Sequence, residues 1–227
     1  MCKAVTQKKT QPAHITSPLS AAHHFACPIY IAERPDFLED VAAISGEYLE
    51  RAHKDREPDE IYPVSMTENY FHEDRLSGFA EFVGRTAWDI LREQGYEMQE
   101  KETAFTEMWT QEHNKHSLME QHIHGRGSQI VGFYFIETPE NCSRLVVHDP
   151  RAGKVQIDLQ EQDATVASIA SKMVNFEPKP GLLIFTNAWL AHSFTRHAAE
   201  TPIRFVHFNI CVNQSHPQSP TNNAEVI

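Results

Sequence analysis

The chain is 227 residues long, 41% hydrophobic and 22% charged, the balance of a globular protein able to bury a sizeable core. Twenty Lys and Arg stand against thirty-one Asp and Glu, a formal charge of -11. Such a field repels phosphate backbones and anionic lipid surfaces, which argues against a general nucleic-acid binder.

Four cysteines, Cys2, Cys27, Cys142 and Cys211, form no C-x-x-C pair, so they suggest neither a zinc knuckle nor a disulfide framework, and a reducing, cytoplasmic setting is expected. The start, MCKAVTQKKTQPAHITSP, is not followed by an apolar run of signal-peptide length, and no stretch reaches the span of a membrane helix.

Taken in chain order, residues 1–27 and 214–227 are polar and small and read as loose tails around a single domain over 28–213. Within it, helical support is expected over about 36–95 and a β core over about 103–213. From Asp36 to about Lys54, Phe37, Val41, Ile44 and Tyr48 recur at the spacing of an amphipathic helix. A second helix is expected in DRLSGFAEFVGRTAWDILREQG, with Leu76, Phe79, Val83 and Ile90 on one face and Gly95 as its stop. After Tyr96 come short apolar or alternating runs separated by turn residues: AFTEMWTQ, LMEQHIH, QIVGFYFIE, RLVVHD, KVQIDL, GLLIFT and IRFVHFNICV. They predict an antiparallel sandwich or barrel, with the helices covering one sheet. DATVASIASKM fits either a strand connection or a short helix.

The chemistry concentrates in a few polar residues of the β half. If LMEQHIH is a strand, alternation puts His122 and His124 on one face, the geometry that a metal needs. The best candidate for a third ligand is His192, closing GLLIFTNAWLAHSF. Arg204 opens the apolar run IRFVHFNICV; an arginine facing a barrel interior calls for an anion, and a bound carboxylate suits it.

The order H-x-H, strand, D-P-R, PG-LLIF-NAWL-H, then arginine and FN resembles the iron(II)- and 2-oxoglutarate-dependent oxygenase superfamily. It is most similar to a bacterial and phage branch with the pattern H-x-H, S-G-V-Y-Y, D-P-R, F-P-S-W-L-x-H and R-x-x-x-x-F-N. The matching pieces are His122 and His124, Gly132 to Phe135, Asp149 to Arg151, Phe185 to His192, and Arg204 to Asn209, covering roughly the C-terminal half. The resemblance implies a double-stranded β-helix, or jelly roll, preceded by N-terminal helices. It implies that His122, His124 and His192 bind ferrous iron. Arg204 would clamp the far carboxylate of the cosubstrate 2-oxoglutarate, and the Tyr134 hydroxyl would join that clamp. The implied reaction converts 2-oxoglutarate and molecular oxygen to succinate and carbon dioxide while oxidising an unidentified small molecule or protein side chain. No motif specifies an oligomeric state.

The common facial triad of the superfamily is two histidines and a carboxylate, whereas an imidazole stands at position 124; Asp149 is the carboxylate that would replace one of the rings. Arg126, in the loop after the pair, is a candidate contact for an acidic substrate, and Trp189 for the cleft border.

Plainer readings stand beside these. Arg204 also suits a structural pair with an acidic side chain, and Tyr134 a packing position with its hydroxyl satisfied. Asp149-Pro150-Arg151 reads first as a turn. His113, His116, His148 and His207 lack motif context and read as structural or solvent-facing. A cupin-type metal enzyme without a keto acid also uses H-x-H, but has a glutamate three or four residues on, where Ser128 and its neighbours stand here. A non-catalytic jelly-roll module, its histidines incidental or holding zinc, is the third alternative.

Overall fold

The computed structural model describes residue 20 and residues 24–55, 61–125 and 127–215; most of both expected tails, and Arg126, lie outside these residues. The elements run β1 (Tyr30–Glu33), α1 (Leu38–Asp55), β2 (Val64–Met66), α2 (Ser77–Glu93), β3 (Lys101–His113), β4 (Met119–His122) and β5 (Ser128–Glu137). They continue β6 (Leu145–His148), β7 (Met173–Phe176), β8 (Leu182–Asn187), β9 (His192–Phe194) and β10 (Ile203–Gln214).

The strands form two antiparallel sheets, one ordered β1-β8-β5-β10-β3-β2 and the other β4-β9-β6-β7. Each sheet mixes strands distant in sequence, as the expected jelly roll requires. Inward residues of both sheets, among them Phe133, Phe135, Leu145, Ile184, Phe194, Ile203 and Phe205, pack into one apolar layer between them.

The two helices cover the outer face of the larger sheet. Val41, Ile44 and Tyr48 of α1 and Phe79, Val83, Ala87 and Ile90 of α2 bury against Met108, Ile130, Tyr134, Val206 and Phe208. Period-3.6 stripes meet period-2 stripes there, and each fully buried large side chain contributes roughly 1.5–3 kcal/mol. Gly95 follows α2 at φ +92°, the left-handed conformation that ends helices and that glycine adopts without strain.

Strand β10 lies between β5 and β3, and its alternation divides the molecule. Ile203 and Phe205 face the space between the sheets, whereas Val206, Phe208 and Ile210 face the helices.

One segment departs from the expected pattern. KVQIDL is not a strand: Ala152–Gln156 form a 3-10 helix, and the fourth strand of the smaller sheet is β7, which begins at the last residue of DATVASIASKM. The alternation in KVQIDL had no sheet to join, because β6 already pairs with β9 and β7, and Ile157 and Leu159 remain 50% and 83% exposed.

Candidate metal centre

The three motif histidines converge. His122 ends β4 opposite His192, the first residue of β9. His124 lies two residues past the strand end, and its N–H donates to Ala188 O at 2.9 Å, which turns the chain back toward β9. The ring centroids of His122 and His192 are 4.5 Å apart, and each lies 5.2 Å from that of His124. One nitrogen from each ring lies within 4.8 Å of the other two, and among the described residues this is the one group of three or more His, Cys, Asp or Glu so placed.

Two of the rings are oriented by backbone carbonyls. His122 Nδ1 lies 2.8 Å from Glu120 O and His192 Nδ1 lies 3.1 Å from Leu190 O. A carbonyl only accepts, so both Nδ1 atoms carry the proton and both Nε2 lone pairs point elsewhere. His192 is fully buried and its Nε2 has no hydrogen-bond partner, a cost that a metal ion would remove. Burial lowers the His192 pKa to about 3, and that of His124 to about 4, with the neighbouring His122 adding to both shifts. The rings are thus held neutral, the form that ligates metal. Phe133 closes the inner side, edge-on to His192 at 5.2 Å.

The other expected site residues do not join them. Arg204 shares its face of β10 with Val206 and Phe208, the helix side, and its guanidinium binds Glu112 Oε2 at 2.7 Å and Glu137 Oε1 at 2.9 Å. The reason is register: counting R-x-x-x-x-F-N back from Phe208-Asn209 arrives at Ile203, and Arg204 comes one residue later. In a strand one residue reverses the face. Tyr134 also points to the helix side, where its hydroxyl donates to Arg34 O at 2.7 Å. Neither placement fits the 2-oxoglutarate clamp expected of these two side chains; both match the plainer readings.

Asp149 is committed to cations rather than to the imidazoles. Its carboxylate receives Arg151 at 2.7 and 2.9 Å and Lys154 at 2.8 Å, and these contacts, Arg151 first, hold its pKa well below the usual carboxylate range. The Arg151 N–H also donates to Asp149 Oδ1 at 3.0 Å, the turn expected of Asp-Pro-Arg. A cavity of about 260 Å³ opens beside this turn, lined by Cys27, His148, Asp149, Arg151, Met173 and Leu190. Leu190 is the residue whose carbonyl orients His192. Trp189, 47% exposed, lies just before it.

The residue that sequence reasoning missed is His207. It sits inside the barrel with Nε2 3.2 Å from His124 Nε2. Its place one residue before Phe208-Asn209, on the inward parity of β10, was the signal available in the sequence.

Residues 107–209 match the sequence family described as "Putative 2OG-Fe(II) oxygenase", a span that contains the three imidazoles and both sheets' inward strands. Over that span the β core is similar to the iron(II)- and 2-oxoglutarate-dependent oxygenase superfamily. As an oxygenase of this class, the protein is a dioxygenase that uses ferrous iron with 2-oxoglutarate as cosubstrate.

Solved structures share the fold of the oxygenase. AviO1 from Streptomyces viridochromogenes Tue57 is 14% identical with a TM-score of 0.57, over 86% of this chain and 93% of that one. A Pseudomonas putida prolyl-4-hydroxylase is 10% identical with a TM-score of 0.52, over 81% and 92%. HygX from Streptomyces hygroscopicus, solved with nickel, 2-oxoglutarate and hygromycin B bound, is 13% identical with a TM-score of 0.51, over 82% and 83%. No curated protein sequence matches the chain. Among the described residues, no helix is long and apolar enough to cross a membrane.

Proposed function

We propose that His122, His124 and His192 hold the ferrous ion of this oxygenase and that the enzyme hydroxylates a C–H bond of a small molecule or a protein side chain. The observation that carries this reading is the convergence of three imidazole nitrogens within 4.8 Å, two of them freed for a metal by Nδ1–carbonyl bonds.

Bound there, iron and 2-oxoglutarate supply the oxidative chemistry: one oxygen atom goes to the substrate and the other to succinate, with release of carbon dioxide. The chain's own residues do the holding and the shielding. Glu120 O and Leu190 O set the two ring planes, as carbonyl partners do for metal-ligating histidines generally. Burial keeps His124 and His192 unprotonated, so no proton competes with the ion near neutral pH. Phe133 and Phe194 wall the inner side with apolar surface.

We assign the substrate to the cavity beside Asp149 on one link, Leu190, which lines it and whose carbonyl orients His192; the three imidazoles themselves do not line it, and Arg151 and His148 give it polar handles. HygX, which shares the fold, was solved with hygromycin B bound, which supports a small-molecule substrate here. We place the enzyme in the cytoplasm, in keeping with its free cysteines Cys27, Cys142 and Cys211.

The test is succinate released per molecule of purified protein, with and without Fe(II) and with and without 2-oxoglutarate, alongside His192→Ala. Iron-dependent succinate that vanishes in the variant supports the assignment; failure of the wild-type protein to bind both the metal and the keto acid would falsify it.

A further inference from the structure

His122 and His192 are each oriented by a backbone carbonyl, whereas His124 meets a side chain instead. That side chain is His207, which is 2% exposed and whose Nδ1 lies 2.9 Å from Gly132 O. A carbonyl only accepts, so Nδ1 carries the proton of this ring and Nε2 is left with a lone pair. Register supplies the walls that hold it, since β10 sets His207 opposite Phe133 of β5 and Trp109 of β3. Phe133 stacks on the ring at 4.5 Å and 17°, and the Trp109 centroid stands 4.5 Å away, so the ring has no room to turn.

In that fixed orientation His207 Nε2 stands 3.2 Å from His124 Nε2. Two nitrogens at this distance share one proton, because two lone pairs face to face repel and two N–H groups collide. Were the proton supplied by His207, that ring would be protonated on both nitrogens, a buried cation whose polar partners are a carbonyl and another imidazole. The proton therefore belongs to His124 Nε2, which donates to His207 Nε2. His124 keeps its lone pair on Nδ1.

We propose that His207 is a positioning residue of the metal centre: it accepts the His124 Nε2 proton and so leaves Nδ1 as the metal donor of that ring. The inference rests on the reading that His122, His124 and His192 hold the ion. Since His122 and His192 have Nδ1 on carbonyls, the centre combines two Nε2 donors with one Nδ1 donor. The relay from His124 through His207 to Gly132 O does for the third ring what Glu120 O and Leu190 O do for the others, fixing its plane and making its donor nitrogen more basic. His207 itself takes no coordination position.

The test uses the full chain loaded with Zn(II), a diamagnetic ion, and proton–nitrogen NMR correlations that report which nitrogen of each ring is protonated. Wild-type protein is expected to show His122 and His192 protonated on Nδ1 and His124 protonated on Nε2. Competition with a chelator is expected to show about tenfold weaker Zn(II) affinity in His207→Phe, which keeps a ring between Phe133 and Trp109 but removes the acceptor. His207→Gln, whose amide oxygen accepts the same proton, is expected to recover most of that loss. All three rings protonated on Nδ1 in the wild-type protein, or wild-type affinity in folded His207→Phe, overturns the positioning role and leaves the triad standing. No bound zinc in the wild-type protein overturns the triad and this inference with it. Because the wild-type tautomers are read without any substitution, the outcome stands even where a variant fails to fold.

Discussion

Arg204 Nε lies 2.7 Å from Glu112 Oε2 on the helix-covered face of the larger sheet, while His207, three residues along the same strand, faces the imidazoles on the other. The guanidinium therefore neutralises a carboxylate whose side chain is only 4% exposed, with His53 Nε2 at 2.9 Å as that carboxylate's other partner. Arg204→Ala is expected to destabilise the fold by about 1–3 kcal/mol, the usual cost of leaving a buried charged acceptor short of a donor. Iron and 2-oxoglutarate affinity per folded molecule should stay unchanged. Thermal unfolding and keto-acid titration of the same preparation check both halves; selective loss of 2-oxoglutarate binding would restore the clamp to Arg204.

Tyr134→Phe removes one hydrogen bond to Arg34 O and nothing near the imidazoles. A loss of about 1 kcal/mol, measured by denaturant unfolding, should accompany unaltered succinate formation.

Much of the fold was legible because it rests on periodicity. Val41, Ile44 and Tyr48 announce α1, and the run from Gln129 to Glu137 announces β5. KVQIDL misled because alternation says only that a segment suits a half-buried sheet, not that a partner strand is free. At the site, the H-x-H and H spacing identified three rings that do meet. Arg204 was misplaced because a motif read by order tolerates a slip of one residue, whereas a strand does not, and Tyr134 because its parity in β5 puts it with Ile130 and Ile136 on the helix side. His207 was missed because its one mark in the sequence, inward parity one residue before Phe208-Asn209, gains meaning only from the pairing of β10 with β5, which sets His207 opposite Phe133 and Phe208 opposite Gly132.

Gly132 is required by its neighbours. A Cβ there would stand 2.2 Å from Phe208 Cζ and 2.9 Å from Ile184 O. Gly132→Ala is expected to cost about 1–3 kcal/mol or more. Phe208→Leu in the same chain should recover part of it by clearing the ring but not the carbonyl, as comparison of the single and double variants by thermal unfolding would reveal.

His113 predicts an acid limb of stability. Its fully buried ring sits 5.3 Å from Phe194 and 5.1 Å from Phe205, and burial, with a smaller contribution from His197, lowers its pKa to about 3. The unfolded chain takes up that proton near pH 6.5, the folded one only near pH 3. The contribution of the neutral ring is thus complete above pH 6.5 and is lost as the pH falls toward 3, by up to about 1.4 kcal/mol per pH unit for one group. Chelator-treated His113→Phe should show a shallower decline in unfolding midpoint between pH 6.5 and 4.5 than the wild-type protein; equal slopes would contradict this.

The central claim is that one ferrous ion sits among His122, His124 and His192. Anaerobic Fe(II) titration of the wild-type chain and of the three single alanine variants, each verified as folded by circular dichroism, tests it most directly. One ion per wild-type chain and a more than roughly tenfold weaker affinity in every variant is the predicted result. Wild-type affinity retained by folded His192→Ala would contradict it.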